Sequence, residues 1–151
     1  MRGVYTAQID ITGLSSAKTL MLIQAPSTGV IEIISCSVSN VNSETSEMLN
    51  IGVYHVTTVG SPAGTSVTPE KHEKLDASSS ATVTGNLSGE PTAYASKPLD
   101  KQGINNLSGY RYDPLPEERP IVPPSGAIGL RAIDAPTSFN ASVQIVFREI
   151  G

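Results

Sequence analysis

An all-β protein built as an antiparallel β-sandwich is what this sequence predicts, and three observations predict it. Apolar and polar residues alternate with period two through much of the chain. No window sustains the i, i+3, i+4, i+7 spacing of an amphipathic helix. Gly and Pro, 13 and 11 of them in 151 residues, punctuate the chain at short intervals. The segments so bounded number about eight to ten, with no crossover helix between them. Two four-stranded sheets in a jelly roll fit that count first. An immunoglobulin-like sandwich is the alternative, without the Trp and paired Cys of true immunoglobulin domains.

The elements follow in order. In "VYTAQIDI", Tyr5, Ala7, Ile9 and Ile11 share one face and Thr6, Gln8 and Asp10 the other, as in a half-buried strand. "AKTLMLIQA" is the next strand and ends at "PSTG", where Pro26 pre-sets one torsion and Gly29 frees another. "VIEIISCSVSN" follows, and then "EMLNIGVYHVTT", in which Leu49, Ile51 and Val53 alternate with Asn50, Gly52 and Tyr54. These four segments read as one sheet-forming block. At the far end, "AIGLRAI" and "NASVQIVFREI" read as a closing antiparallel pair, with Val143, Ile145 and Phe147 opposite Gln144 and Arg148.

The chain is one domain, residues 1–151, large enough to bury a single core. Its middle, about 57–105, differs from the rest: no Ile, Phe or Met occurs from Thr57 until Ile104. Thin strands are expected around Ala81 to Leu87 and in "PTAYAS". The remainder is expected as long loops or an outlying hairpin that gains order against a neighbour. Residues 112–126, "YDPLPEERPIVPPSG", hold five prolines. Proline fixes φ and removes a donor, so this strip is expected to run extended along a surface, stiff before it meets anything.

Composition narrows the function classes. A formal charge of -4 and a pI near 5.1 provide no basic stripe for phosphates, which argues against a nucleic-acid partner. The start "MRGVYTAQIDITG" has no continuous apolar region of signal-peptide type, and runs such as "LMLI" are too short to span a bilayer. A soluble protein without a membrane partner is expected. Cys36 stands alone and reads as a small buried residue of a strand.

No catalytic, cofactor or metal constellation emerges. His55 lies in a strand pattern and His72 in "EKHEK", with no third ligand at a metal-site spacing. No G-x-S-x-G elbow frames a nucleophile. "GSPAGTS", Gly60 to Ser66, lacks a P-loop lysine and reads as a loop tip. Glu117 and Glu118 are adjacent on an extended strip, so they point apart and cannot share a proton. One of them is expected to pair with Arg119 or with a partner. Sequons at Asn86, Asn106 and Asn140 carry no weight without a secretion signal.

A sandwich of this kind is more readily a binding or assembly module than an enzyme. "VYTAQ", "EMLNIGVYHVTT", "TSVTP", "PLPEERPIVPPSG" and the ending "IVFREIG" together resemble a type of small β-rich protein encoded among the structural genes of tailed bacteriophages and prophages. The resemblance runs from Tyr5 to Gly151 and is weakest over residues 78–99. It implies a virion structural protein, foremost a head decoration or cement protein on the capsid surface, made soluble in the host cytoplasm. It implies as partners the major capsid protein or another virion protein, and a homotrimer. The alternatives are a tail or fibre-tip protein that binds the host surface, and a free-standing carbohydrate-binding sandwich, for which only seven aromatic residues are present. In the assembly reading, Tyr112 and Leu115 anchor in apolar pockets of the partner. Pro116 and Pro120 hold Glu117, Glu118 and Arg119 straight for charge-assisted bonds to it.

Overall fold

The computed structural model describes residues 3–151. Among the described residues thirteen strands make up the fold: β1 (Gly3–Leu14), β2 (Lys18–Gln24), β3 (Val30–Asn40), β4 (Met48–Thr58), β5 (Ala63–Val67), β6 (Glu70–Lys71), β7 (Thr82–Gly89), β8 (Ala93–Tyr94), β9 (Asp100–Asn105), β10 (Tyr110–Tyr112), β11 (Ile121–Val122), β12 (Ala127–Ala132) and β13 (Phe139–Ile150). They form two antiparallel sheets packed as a sandwich. Sheet A has the order β10-β3-β13-β1-β6, with β11 also on β3; sheet B has the order β5-β7-β2-β12-β4-β8, with β9 also on β4. Among the described residues no helix is long and apolar enough to cross a membrane.

The sheets have six and seven strands rather than four each, and they are not the two blocks that chain order suggests. β1 and β3 lie in sheet A while β2 and β4 lie in sheet B, so the first four strands cross between sheets at every connection. The last two behave likewise: β12 sits between β2 and β4, and β13 between β3 and β1. Alternation along one strand reports which face is buried and carries no information on which strand is its neighbour. The pairs β1·β13, β2·β12, β3·β10 and β4·β9 nest inside one another along the chain, so these eight strands form one long folded hairpin, to which β5 to β8 are added.

Side-chain alternation forms the core. Along β13, Phe139, Ala141, Val143, Ile145 and Phe147 are buried while Asn140, Ser142, Gln144, Val146 and Arg148 face outward. β1 meets it in register, Tyr5 opposite Phe147 and Ile9 opposite Val143, and the Tyr5 and Phe147 rings stack at 5.6 Å. From sheet B, Met21, Ile23, Leu49, Ile51, Val53, Ile128 and Leu130 close the same cluster. Sheet B is also covered on its outer side: Leu22, Leu87 and Ala127 form a second small cluster with Val56 and Val59 packed on it.

That cover comes from the polar middle. The thin strands expected around Ala81 to Leu87 and in "PTAYAS" are β7, which pairs β2, and β8, which pairs β4; where loops or an outlying hairpin were expected, β5 adds outside β7 and β9 pairs β4. Val83, Leu87 and Ile104 are buried inside the chain. Asn86 adopts a positive φ of 46°, which Asn tolerates, and this breaks the alternation of β7 so that Leu87 joins the outer cluster. Short side chains suffice here because the strands dock on an existing sheet. Burial within one chain therefore removes the need for a trimer to supply it. Part of "GSPAGTS" is β5 and not a loop tip.

Candidate functional site

The proline strip is tied to sheet A at both ends. β10 pairs β3 from Tyr110 opposite Val38 to Tyr112 opposite Cys36, and β11 pairs β3 through Ile121 opposite Glu32 and Val122 opposite Ile31. The Ile33 N–H also donates to the Pro120 carbonyl at 3.0 Å. Between these anchors β3 bulges: Ile33 pairs Phe147 and Ser35 pairs Val146, leaving Ile34 out of register. The ladder cannot continue through a bulge, so residues 113–119 arch over it. The strip thus covers the edge of β3, as a Pro-rich edge segment can.

The arch is not straight. Leu115 is extended (φ -60°, ψ 155°), but Pro116–Glu118 form a 3-10 turn closed by the Glu118 N–H on the Leu115 carbonyl at 2.8 Å. Pro116 takes the start of the turn, where no donor is needed. Arg119 is extended again (φ -64°, ψ 127°) and Pro120 is buried. Pro123 to Gly126 then turn the chain into β12, with Ser125 at a φ of 61° and the Gly126 N–H on the Pro123 carbonyl at 2.9 Å.

Side chains of the strip divide into two sets. Tyr112 packs half-buried against the protein's own core, so it is not an outward anchor. Arg119 turns inward: its Nη1 lies 4.0 Å from Glu32 Oε2, and its side chain is 23% exposed. Glu32 is buried on the same edge and accepts a hydrogen bond from Arg148 Nη2. Arg119 is therefore ion-paired with Glu32, not with Glu117 or Glu118 or held out for a partner. Facing outward are Leu115, 63% exposed, Ile121, 48% exposed, and Asp113, Glu117 and Glu118. Asp113 pairs with Arg111 on the surface.

The other groups that chemistry would need are scattered. His55 is part-buried on β4 in sheet B, where desolvation lowers its pKa. His72 follows β6 in sheet A, with Nε2 2.6 Å from Thr6 Oγ1. Among the described residues no group of three or more His, Cys, Asp or Glu is placed to hold a metal ion. Cys36 is buried, and burial, aided by Asp100 and Asp113, pushes its thiol well above the ordinary range. Asn106 is fully buried, bonded to Glu47 and Thr45, and thus closed to glycosylation. A cleft of about 270 Å³ runs past Pro26, Val30, Ser80 and Glu149. Glu149, 2% exposed, spends its carboxylate on Ser79, Ser80 and the Ala81 N–H, so it orders that loop.

One cluster has no counterpart in the sequence reading. The β7–β8 connection crosses the outer face of sheet B as a strap, from the edge next to β2 to the edge next to β4. Its Glu90 accepts bonds from the Thr19 N–H at 2.7 Å and from the Thr19 hydroxyl. Tyr94 Oη lies 2.5 Å from Thr19 Oγ1. The Tyr94 ring rests on Gly129, where a Cβ would stand 2.5 Å from its Oη. Tyr94 and Tyr54 stand edge to face at 6.1 Å, and the Arg131 guanidinium carbon sits in their corner, 4.1 and 4.8 Å from the two centroids. Residues 19, 54, 94 and 131 are too far apart in sequence for any spacing rule to link them. Neither a family model, nor a curated protein, nor a solved structure matches this chain.

Proposed function

We propose that this chain is a non-enzymatic structural protein of a tailed-bacteriophage virion, a decoration or cement protein that sits on the outside of the head and bridges capsid subunits. The resemblance of its sequence segments to phage structural proteins supports the class. The nested pairs β1·β13, β2·β12, β3·β10 and β4·β9 support a jelly roll over an immunoglobulin-like sandwich, because a folded hairpin wrapped into two sheets is the plan of a jelly roll.

The observation that carries the reading is the arch at residues 113–119 together with the start of β11. It exposes Leu115 and Ile121, flanked by Glu117 and Glu118, on a segment fixed at both ends to β3. Apolar side chains held out on a rigid backbone lose little entropy on docking. With Arg119 turned to Glu32, the exposed charge of the arch is acidic, so the shell surface that receives it carries basic groups.

Cryo-electron microscopy of particles assembled from the encoding genome, with and without this chain, tests the proposal. Added density on the head lattice, lost in a Leu115→Asp/Ile121→Asp variant that still folds, is the expected result. Density in the tail, or none on any particle, overturns it.

A further inference from the structure

Arg131 is held by the fold without being used by it. Its guanidinium lies in the corner of Tyr54 and Tyr94, which in turn depends on Gly129 having no side chain and on Tyr94 reaching Thr19. Among the described residues it forms no hydrogen bond and no ion pair within 4.0 Å. Glu90, the carboxylate of the same cluster, is spent on Thr19 through both oxygens. Of the guanidinium nitrogens only Nε is buried without an acceptor, so the Nη edge reaches solvent. Here ring faces fix its position and leave its donor edge open.

We infer that Arg131 is the centre of an anion-binding site on the outer face of sheet B, and that the group it takes is a carboxylate. A planar two-oxygen anion matches the fork of N–H donors on the open edge. The two rings restrict the guanidinium before a ligand arrives, which lowers the ordering cost of binding. Glu90, bound to the same Thr19 that Tyr94 reaches, adds a negative charge to the cluster and so weakens the site for any anion. The carboxylate can belong to a small acid or to an acidic side chain of a docked protein. This site lies on the opposite sheet from the proline strip and stands apart from the proposal of head attachment.

The test is a heteronuclear NMR titration of the full chain with acetate and, separately, inorganic phosphate, at constant ionic strength set with chloride. Saturable shifts at Arg131 and Tyr94 with acetate are expected, and saturation with phosphate but not with acetate would overturn the choice of a carboxylate. A peptide containing a single glutamate, compared with acetate, separates the protein-borne source from the small acid. Arg131→Gln should abolish saturation. Because that variant also removes the ring contacts, Glu90→Gln provides an independent arm: it keeps the guanidinium and should tighten acetate by about twofold to threefold through loss of one nearby charge. Linear, non-saturating shifts, saturation retained in Arg131→Gln, or acetate affinity unchanged or weakened in Glu90→Gln would each overturn the inference.

Discussion

Arg119→Glu separates an inward from an outward role for the charged centre of the proline strip. Arg119 Nη1 stands 4.0 Å from Glu32 Oε2, and the two side chains are 23% and 10% exposed. At that distance a unit pair is worth ~1 kcal/mol in bulk water and ~4 kcal/mol at an effective dielectric constant near 20. Partial exposure places this pair between those limits. A new glutamate can swing outward and escape most of the repulsion, so the expected loss is the attraction itself, about 2 kcal/mol. With a urea m-value of about 2 kcal/mol/M, the unfolding midpoint should fall by about 1 M. Glu117→Lys, on the exposed side of the same arch, should cost under about 0.5 kcal/mol. The decisive measurement repeats Arg119→Glu in a Glu32→Gln background, where most of the cost should disappear. A midpoint unchanged within about 0.2 M, or an equal loss with and without Glu32, would refute the internal ion pair and return Arg119 to the outer surface.

Gly129→Ala should dislodge Tyr94, whose Oη, Cε1 and Cζ would stand 2.5, 2.9 and 3.1 Å from the new Cβ. Overpacking of this kind costs about 1–3 kcal/mol, and amide exchange in residues 90–95 should quicken more than in β13. Stability should also fall between about pH 10 and 12. Burial pushes the Tyr94 hydroxyl up to about 12, and burial together with its hydrogen bond to Asp100 raises that of Tyr110. Unfolded tyrosines release their protons near pH 10 while the folded ones keep theirs, so rising pH pulls toward the unfolded chain. Denaturation midpoints that hold level across this window in the wild type, or fall no less steeply in Tyr94→Phe, would count against the assignment.

By itself the sequence determined the class of the fold and the faces of its long strands. Period-two alternation is a local property, and it survives folding through β13 and from Tyr5 to Ile11 of β1: Tyr5, Ala7 and Ile11 are buried, as are Val143, Ile145 and Phe147. The turn at Pro26 to Gly29 was legible for the same reason, since Pro and Gly act on their own torsions. Tertiary structure alone decided which strands are neighbours, because nothing within a strand encodes its partner across the sheet. It also decided how the polar middle finds burial, by docking on sheet B, and how the arch at 113–119 bends, because a bulge at Ile34 on another strand dictates it. The direction of Arg119 and the clamp on Arg131 belong to the same category. Each depends on side chains brought together from positions dozens of residues apart, and a charge or a ring turns toward whatever partner the sheet order puts beside it.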